Sequence, residues 1–255
     1  YDWANSAFAT TVMAALFPPF YRSLCLRAGL DAGEATAAYG YLTAGALLVA
    51  ALVGPVIGAI ADHAGFRKRG TLAFAGLGIA ATAAFVAIGP AAWPLATVLF
   101  VAANLGFAGS IVFYESLLPA VAPPGELDRV SSRGYALGYV GGGLLLALNV
   151  LWLVKPAAFG LADAGAAVKA SFASVALWWA AFSWPLLRRV PEPPAAGWPA
   201  GAGGRPGARG WGAAVRGGLA RLRQTLREVR RHRQLSLFLL AFWVYNDGIG
   251  TIIKM

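Results

Sequence analysis

Six polar side chains fall within or beside long apolar runs of this sequence: Asp2, Asn5, Asn104, Asn149, Asn246 and Asp247. Polar groups are costly in hydrocarbon, and an ionisable residue at membrane depth marks a substrate path, an ion path or a proton relay. Asp2 and Asp247 therefore point to ion coupling or substrate binding, because a carboxyl group there can take up and release protons. The Asn side chains serve equally well as interhelical hydrogen-bond glue or as solute contacts, and residue type leaves both roles open. Glu115 stands at the end of its apolar run, which fits a solvated or gating role. Lys254 is placed to snorkel to an interface. No His/Cys/carboxylate cluster with metal-ligand spacing and no nucleophile–base pair stands out, so neither an enzyme nor a bound cofactor or metal is expected.

A second constellation joins two apolar runs: Gly58, Asp62, Gly65, Arg67, Lys68 and Arg69 in Gly-x3-Asp-x2-Gly-x-Arg-Lys-Arg spacing. Gly58 permits close helix packing, Asp62 can accept hydrogen bonds at a helix end, and Gly65 permits a tight turn. The basic residues are then free to meet headgroups or Asp62. The glycine-rich run Gly138-Tyr139-Val140-Gly141-Gly142-Gly143 lacks the following Lys-Ser/Thr of a phosphate loop. Inside a span it reads as helix packing, with helix bending as a further use.

The elements that must position these residues follow from composition. Hydrophobic residues make up 58% and charged residues 13% of the chain, with a mean hydropathy of +0.63. A soluble domain carries about 25% charged residues, so a soluble fold would leave too much apolar surface in water. A bilayer span takes about 20 mostly apolar residues, and seven runs qualify: 1–24, 39–61, 71–89, 94–115, 134–154, 168–187 and 235–255. The first and last are expected to be cut short by the ends of the sequence. Cys25 is the single cysteine and reads as a small apolar packing residue.

Charge tests this count. Arg67, Lys68 and Arg69, then Arg129 and Arg133, then eleven arginines in 188–234 occupy every second connection. The intervening loops hold little basic charge. Such alternation is the positive-inside pattern and predicts a cytoplasmic N-terminus. Residues 190–210 are rich in Pro and Gly and read as a linker. Residues 211–233 place Trp211, Val215, Leu219, Leu222, Leu226 and Val229 at steps of four and three, with arginines opposite. That is a basic amphipathic helix suited to anionic lipid headgroups. The net charge of +10 arises mainly there, so no nucleic-acid partner is expected.

The seventh run resembles the first, with Asn5 through Val12 aligning on Asn246 through Ile253. Asn246 lies roughly 16 Å along a helix from Leu235, close to the middle of a core about 30 Å thick. Asn5 then has a similar depth, with Asp2 almost one turn nearer the cytoplasm. Six helices, a linker and a second copy make a parallel repeat of the kind transporters use.

The 58–69 signature resembles that of the major facilitator superfamily. Tyr1-Asp2-Trp3-Ala4-Asn5-Ser6-Ala7-Phe8-Ala9-Thr10-Thr11 is similar to the opening of one branch, which includes the yeast autophagy-related vacuolar amino-acid effluxer and uncharacterised bacterial permeases. Phe113 to Pro119, Asp128 to Tyr139 and Tyr245 to Ile249 agree in order, although that branch has Asn at the place of Glu115 and Gln at that of Gly250. The resemblance implies an all-α membrane bundle of about twelve helices when whole. It divides this chain into a six-helix half at 1–187, a cytoplasmic linker at 188–234 and the first helix of a second half at 235–255. It further implies alternating-access transport of a small solute, amino acids included, in a bacterial inner membrane. The competing expectation is a non-transporting receptor or scaffold that holds partners through 211–233.

Overall fold

A computed structural model describes residues 1–64, 67–123, 125–192, 223–224, 227–228 and 231–254, without the side chains of 55, 56, 59–64, 243 and 246–254. The expected linker at 190–210 and amphipathic helix at 211–233 lie largely outside the described residues. Everything described is helix or connecting loop, with no strand. We number the long helices α1 (Asp2 to Arg27), α2 (Ala32–Ala64), α3 (Arg67–Ala84), α4 (Trp93–Glu115), α5 (Leu127–Val154), α6 (Ala164–Arg189) and α7 (Arg233–Lys254). Helices α2 to α6 contain stretches long and apolar enough to cross a bilayer.

Helices α2 and α6 begin before their apolar runs because polar capping, rather than hydropathy, sets those starts. Helix α2 begins seven residues before the run at 39–61. There Asp31 Oδ1 accepts from the Glu34 amide at 2.8 Å, and the Asp31 amide donates to Glu34 Oε2 at 2.9 Å. This reciprocal pair satisfies two otherwise unpaired donors. Asp163 caps α6 in the same way, accepting from the Ala166 amide at 2.7 Å.

Helix α1 is α-helical over Asp2–Ala7 and Phe17–Arg27, with a π-helical middle at Phe8–Leu16. The Phe17 amide donates to the Val12 carbonyl, five residues back. Pro18 and Pro19 follow directly and supply no N–H to the α-helical ladder. Wide π turns are frequent at functional sites.

Lipid is as apolar as leucine, so helices here associate through close packing and hydrogen bonds rather than through removal of surface from water. Two glycine-lined seams result. Between α3 and α4, Gly106 lies against the backbone of Gly78, Gly109 against the Phe74 ring and Gly70 against the Phe113 ring. Between α1 and α5, Gly134 abuts Asp2, Gly138 abuts Ser6, Gly141 abuts the Trp3 ring and Gly142 abuts Thr10. The glycine-rich run is thus a packing face. An aromatic core ties the bundle together: Phe17 of α1 stacks on Phe100 of α4 at 4.0 Å, and Phe85 and Phe172 join it.

The neighbour relations have a simple logic. Helix α1 packs on α5 and α6, α2 on α4, and α3 on α4 and α6. Exchanging α1 with α4, α2 with α5 and α3 with α6 maps α1–α5 onto α4–α2 and α3–α4 onto α6–α1. The neighbour pattern is thus preserved when the first three helices are exchanged with the next three.

Candidate functional site

One end of the bundle gathers the start of α1, the end of α4 and the early turns of α5. Arg67 to Arg69 of α3 and Arg188 and Arg189 of α6 lie at the same chain ends, so we refer to it as the basic end. The Tyr114 hydroxyl donates to Asp2 Oδ2 at 2.8 Å, and the Tyr135 hydroxyl donates to Glu115 Oε1 at 2.9 Å. A cavity of about 90 Å³ opens beside these pairs, and Asp2, Tyr114, Glu115, Ser131 and Tyr135 line its polar side. Asp2 lies level with the end of α4 but faces Gly134 and Gly138, well inside α5. A Cβ at Gly134 would come within 2.5 Å of Asp2 Oδ2, so glycine alone lets the carboxylate occupy this place.

Polar groups climb from Asp2 along α1. Asn5 is buried, and Ser6 faces Gly138. The Thr10 hydroxyl lies 3.0 Å from the Ser6 carbonyl and 3.2 Å from the Gly142 carbonyl of α5. Tryptophans of α6 support this stretch from the other side. Trp179 Nε1 donates to the Tyr1 hydroxyl at 3.0 Å, and Trp178 Nε1 donates to the Trp3 carbonyl at 2.9 Å.

A second cavity, of about 190 Å³, lies between α1, α2 and α4. Met13, Tyr39, Thr43, Phe100, Asn104 and Phe107 are among its walls, and no charged side chain lines it. Asn104 Nδ2 donates to the Phe100 carbonyl of its own helix at 2.8 Å. Asn149 is elsewhere. It is wholly buried between α5 and α6, where Nδ2 donates to Ser174 Oγ at 3.0 Å, a bond that joins two helices.

The signature constellation is only partly visible. Gly58 packs beside Val112 of α4, whereas Gly65 and the Asp62 side chain lie outside the described residues. Arg67 Nη1 donates to the Ser116 carbonyl at 3.3 Å. The amides of Lys68 and Arg69 donate to the two carboxylate oxygens of Glu192 at 2.9 and 3.1 Å, and Arg69 Nε approaches the same carboxylate at 4.0 Å. Glu192 therefore caps α3 from beyond α6. Asn246 and Asp247 lie on α7, and their side chains are outside the described residues.

The structure thus brings Asp2 and Asn5 into one polar stretch, gives Asn104 to a separate cavity, and sets Asn149 apart at a helix–helix contact. Tyr114, Tyr135, Ser6, Thr10 and Glu192 complete these surroundings without having been singled out from the sequence. Tyr114 directly precedes Glu115, and Glu192 is an isolated acid in a proline-rich stretch. Neither local pattern says which partner is in reach. Among the described residues, no group of His, Cys, Asp and Glu has the geometry to hold a metal ion.

Comparison with known proteins places this arrangement. The family described as vacuole effluxer Atg22 like matches residues 32–255. An uncharacterised MFS-type transporter, YxiO, of Bacillus subtilis strain 168 is 35% identical over 100% of this chain and 57% of its own length. Autophagy-related protein 22-1 of Penicillium rubens is 24% identical over 81% of this chain and 44% of its own. Autophagy-related protein 22-2 of Emericella nidulans is 32% identical over 54% of this chain and 24% of its own. The chain spans about half the length of the first two. No solved structure matches. With an all-helical bundle of apolar spans and a family match over most of its length, this chain belongs to the Atg22-like vacuole effluxer family of MFS-type transporters, a family of multi-pass membrane proteins and not of enzymes.

Proposed function

We propose that the intact protein is a secondary transporter that moves a small solute, amino acids among the candidates, by alternating access. Residues 1–187 form its first six-helix half, 188–234 a cytoplasmic linker, and 235–255 the start of the second half. The basic end faces the cytoplasm, since Lys and Arg collect on every second connection there. The membrane is a bacterial inner membrane, as the Bacillus relative supports.

The observation that carries this reading is the 190 Å³ cavity between α1, α2 and α4, which is apolar and aromatic apart from Asn104, Thr43 and Tyr39. Binding sites for small solutes are concave and largely apolar, with a few polar groups that fix orientation. In this reading Asn104 orients the solute, and Asp2 with Asn5 forms the coupling element near the basic end. Asn246 and Asp247 repeat that element in the second half, and Asn149 holds α5 to α6. The Gly58 to Arg69 connection, with Asp62 and Gly65, limits opening at the cytoplasmic face. Anionic headgroups meet the arginines of the linker.

The test is solute uptake by the intact protein in proteoliposomes, screened over amino acids with and without a pH gradient. Asp2→Ala and Asp247→Ala are expected to abolish gradient-driven uptake, and Asn104→Ala to raise KM about tenfold while the protein still inserts. Normal transport by both Asp variants would remove the coupling assignment. A protein that moves none of the solutes, yet loses a bound partner when 193–233 is deleted, would favour a scaffold instead.

A further inference from the structure

Two adjacent residues of α4 hold it to different neighbours. Tyr114 donates to Asp2 of α1 at 2.8 Å, whereas Glu115 accepts from Tyr135 of α5 at 2.9 Å. Both are phenol-to-carboxylate bonds, and hydrogen bonds to a charged acceptor are roughly twice as strong as neutral ones. Neither carboxylate takes part in an ion pair among the described residues. The inner bond is part-buried and the outer one exposed, so the inner should be the stronger.

The position of the two bonds gives them consequence. Helices α1 and α4 both border the 190 Å³ cavity, through Met13 on one side and Asn104 and Ala108 on the other. The same two helices carry Asp2 and Tyr114 at the basic end, about six to eleven residues along each helix from these cavity walls. The Tyr114–Asp2 bond joins those two helices at that end, and the Glu115–Tyr135 bond holds α5 to the pair. A glycine at 134 lets Asp2 lie close enough to α5 for all three helices to meet.

We propose that Tyr114 and Tyr135 are positioning residues of a two-bond clamp that holds α1, α4 and α5 together at the basic end, and that the clamp must release before the cavity opens there. The inference rests on the transport reading only in taking the cavity as the solute site. Its test needs no solute.

Cys25 is buried and is replaced by Ser in the intact protein, and Ala108→Cys is introduced as a reporter on the cavity wall. Its reaction with a membrane-impermeant maleimide is timed from each side of sealed vesicles. Arg129→Cys, at an exposed position on α5, marks which side is the basic end. Tyr114→Phe keeps the ring that packs at 4.9 Å on Tyr1 and removes only the hydroxyl. It is expected to speed labelling from the basic side about tenfold, the order of one charge-assisted hydrogen bond. Tyr135→Phe should give a smaller increase, the double variant the largest, and exposed Tyr139→Phe none. Asp2→Ala breaks the inner bond from its other partner and gives a second reading should Tyr114→Phe insert poorly. Labelling rates within twofold of the parent for Asp2→Ala and for the double variant would overturn the clamp. Faster labelling with no solute transported would leave the clamp standing and count against the transport reading alone.

Discussion

The α3–α4 and α1–α5 seams use the same small residue for opposite ends. In both, glycines leave room for the partner helix, whose backbone comes close at Gly106 in one seam and at Gly138 and Gly142 in the other. Across α3–α4 the glycines meet Phe74, Phe113 and another glycine, surfaces that offer only dispersion contacts and one packed arrangement. Across α1–α5 they meet the Trp3 ring but also a carboxylate and two hydroxyls, groups that can exchange partners or take up water. The first seam reads as a scaffold and the second as a joint. The π-helical turn of α1 falls on the second, beside the Thr10 bond to the Gly142 carbonyl.

The sharpest way to break the comparison is to fill the scaffold. A Cβ at Gly106 would collide with the Gly78 backbone, which has no rotamer to yield. Gly106→Val should cost about 3 kcal/mol or more, read as loss of the monodisperse protein in detergent and a large drop in unfolding temperature. Filling the joint should cost less. A Cβ at Gly138 meets Ser6 Oγ at 2.6 Å, a group that can rotate, and the Asp2 carbonyl at 3.1 Å. Gly138→Ala is expected to cost about 1–2 kcal/mol, and Ser6→Ala in the same chain should recover part of it. Additive effects would show that the two residues do not meet. Thr10→Val, which removes the hydroxyl bonded to the Gly142 carbonyl, should cost about 1 kcal/mol. The smallest change belongs outside both seams. Glu192→Ala uncaps α3 and should cost about 0.5–1 kcal/mol, because the Arg69 side chain facing it is largely exposed and the ion pair adds little. Thermal unfolding of the parent and each variant in one detergent orders all four.

How much of this was legible in the sequence depends on which signal each feature uses. Apolar run length located every long helix among the described residues, since bilayer thickness sets a minimum that composition must meet. It missed the ends of α2 and α6, where Asp31, Glu34 and Asp163 extend the helices through hydrogen bonds that hydropathy does not register. The packing role of the 138–143 glycines was readable, because a span has few other uses for them. Asp2 stood out by its cost in lipid, but its partner Tyr114 lies 112 residues away and no local pattern joins them. Glu192 was hidden in a segment whose proline content signals a linker, and only the folded chain brings it to the start of α3. The π turn of α1 lies just before Pro18 and Pro19, and proline alone does not distinguish a π turn from a kink.

Hydrogen–deuterium exchange of the intact protein in lipid nanodiscs tests the division into scaffold and joint most directly, since exchange reports local opening of backbone hydrogen bonds. The account predicts that peptides covering 8–16 and 134–142 exchange measurably faster than those covering 70–84 and 100–113 under one buffer condition. Equal protection of the two pairs, or faster exchange in α3 and α4, would contradict it.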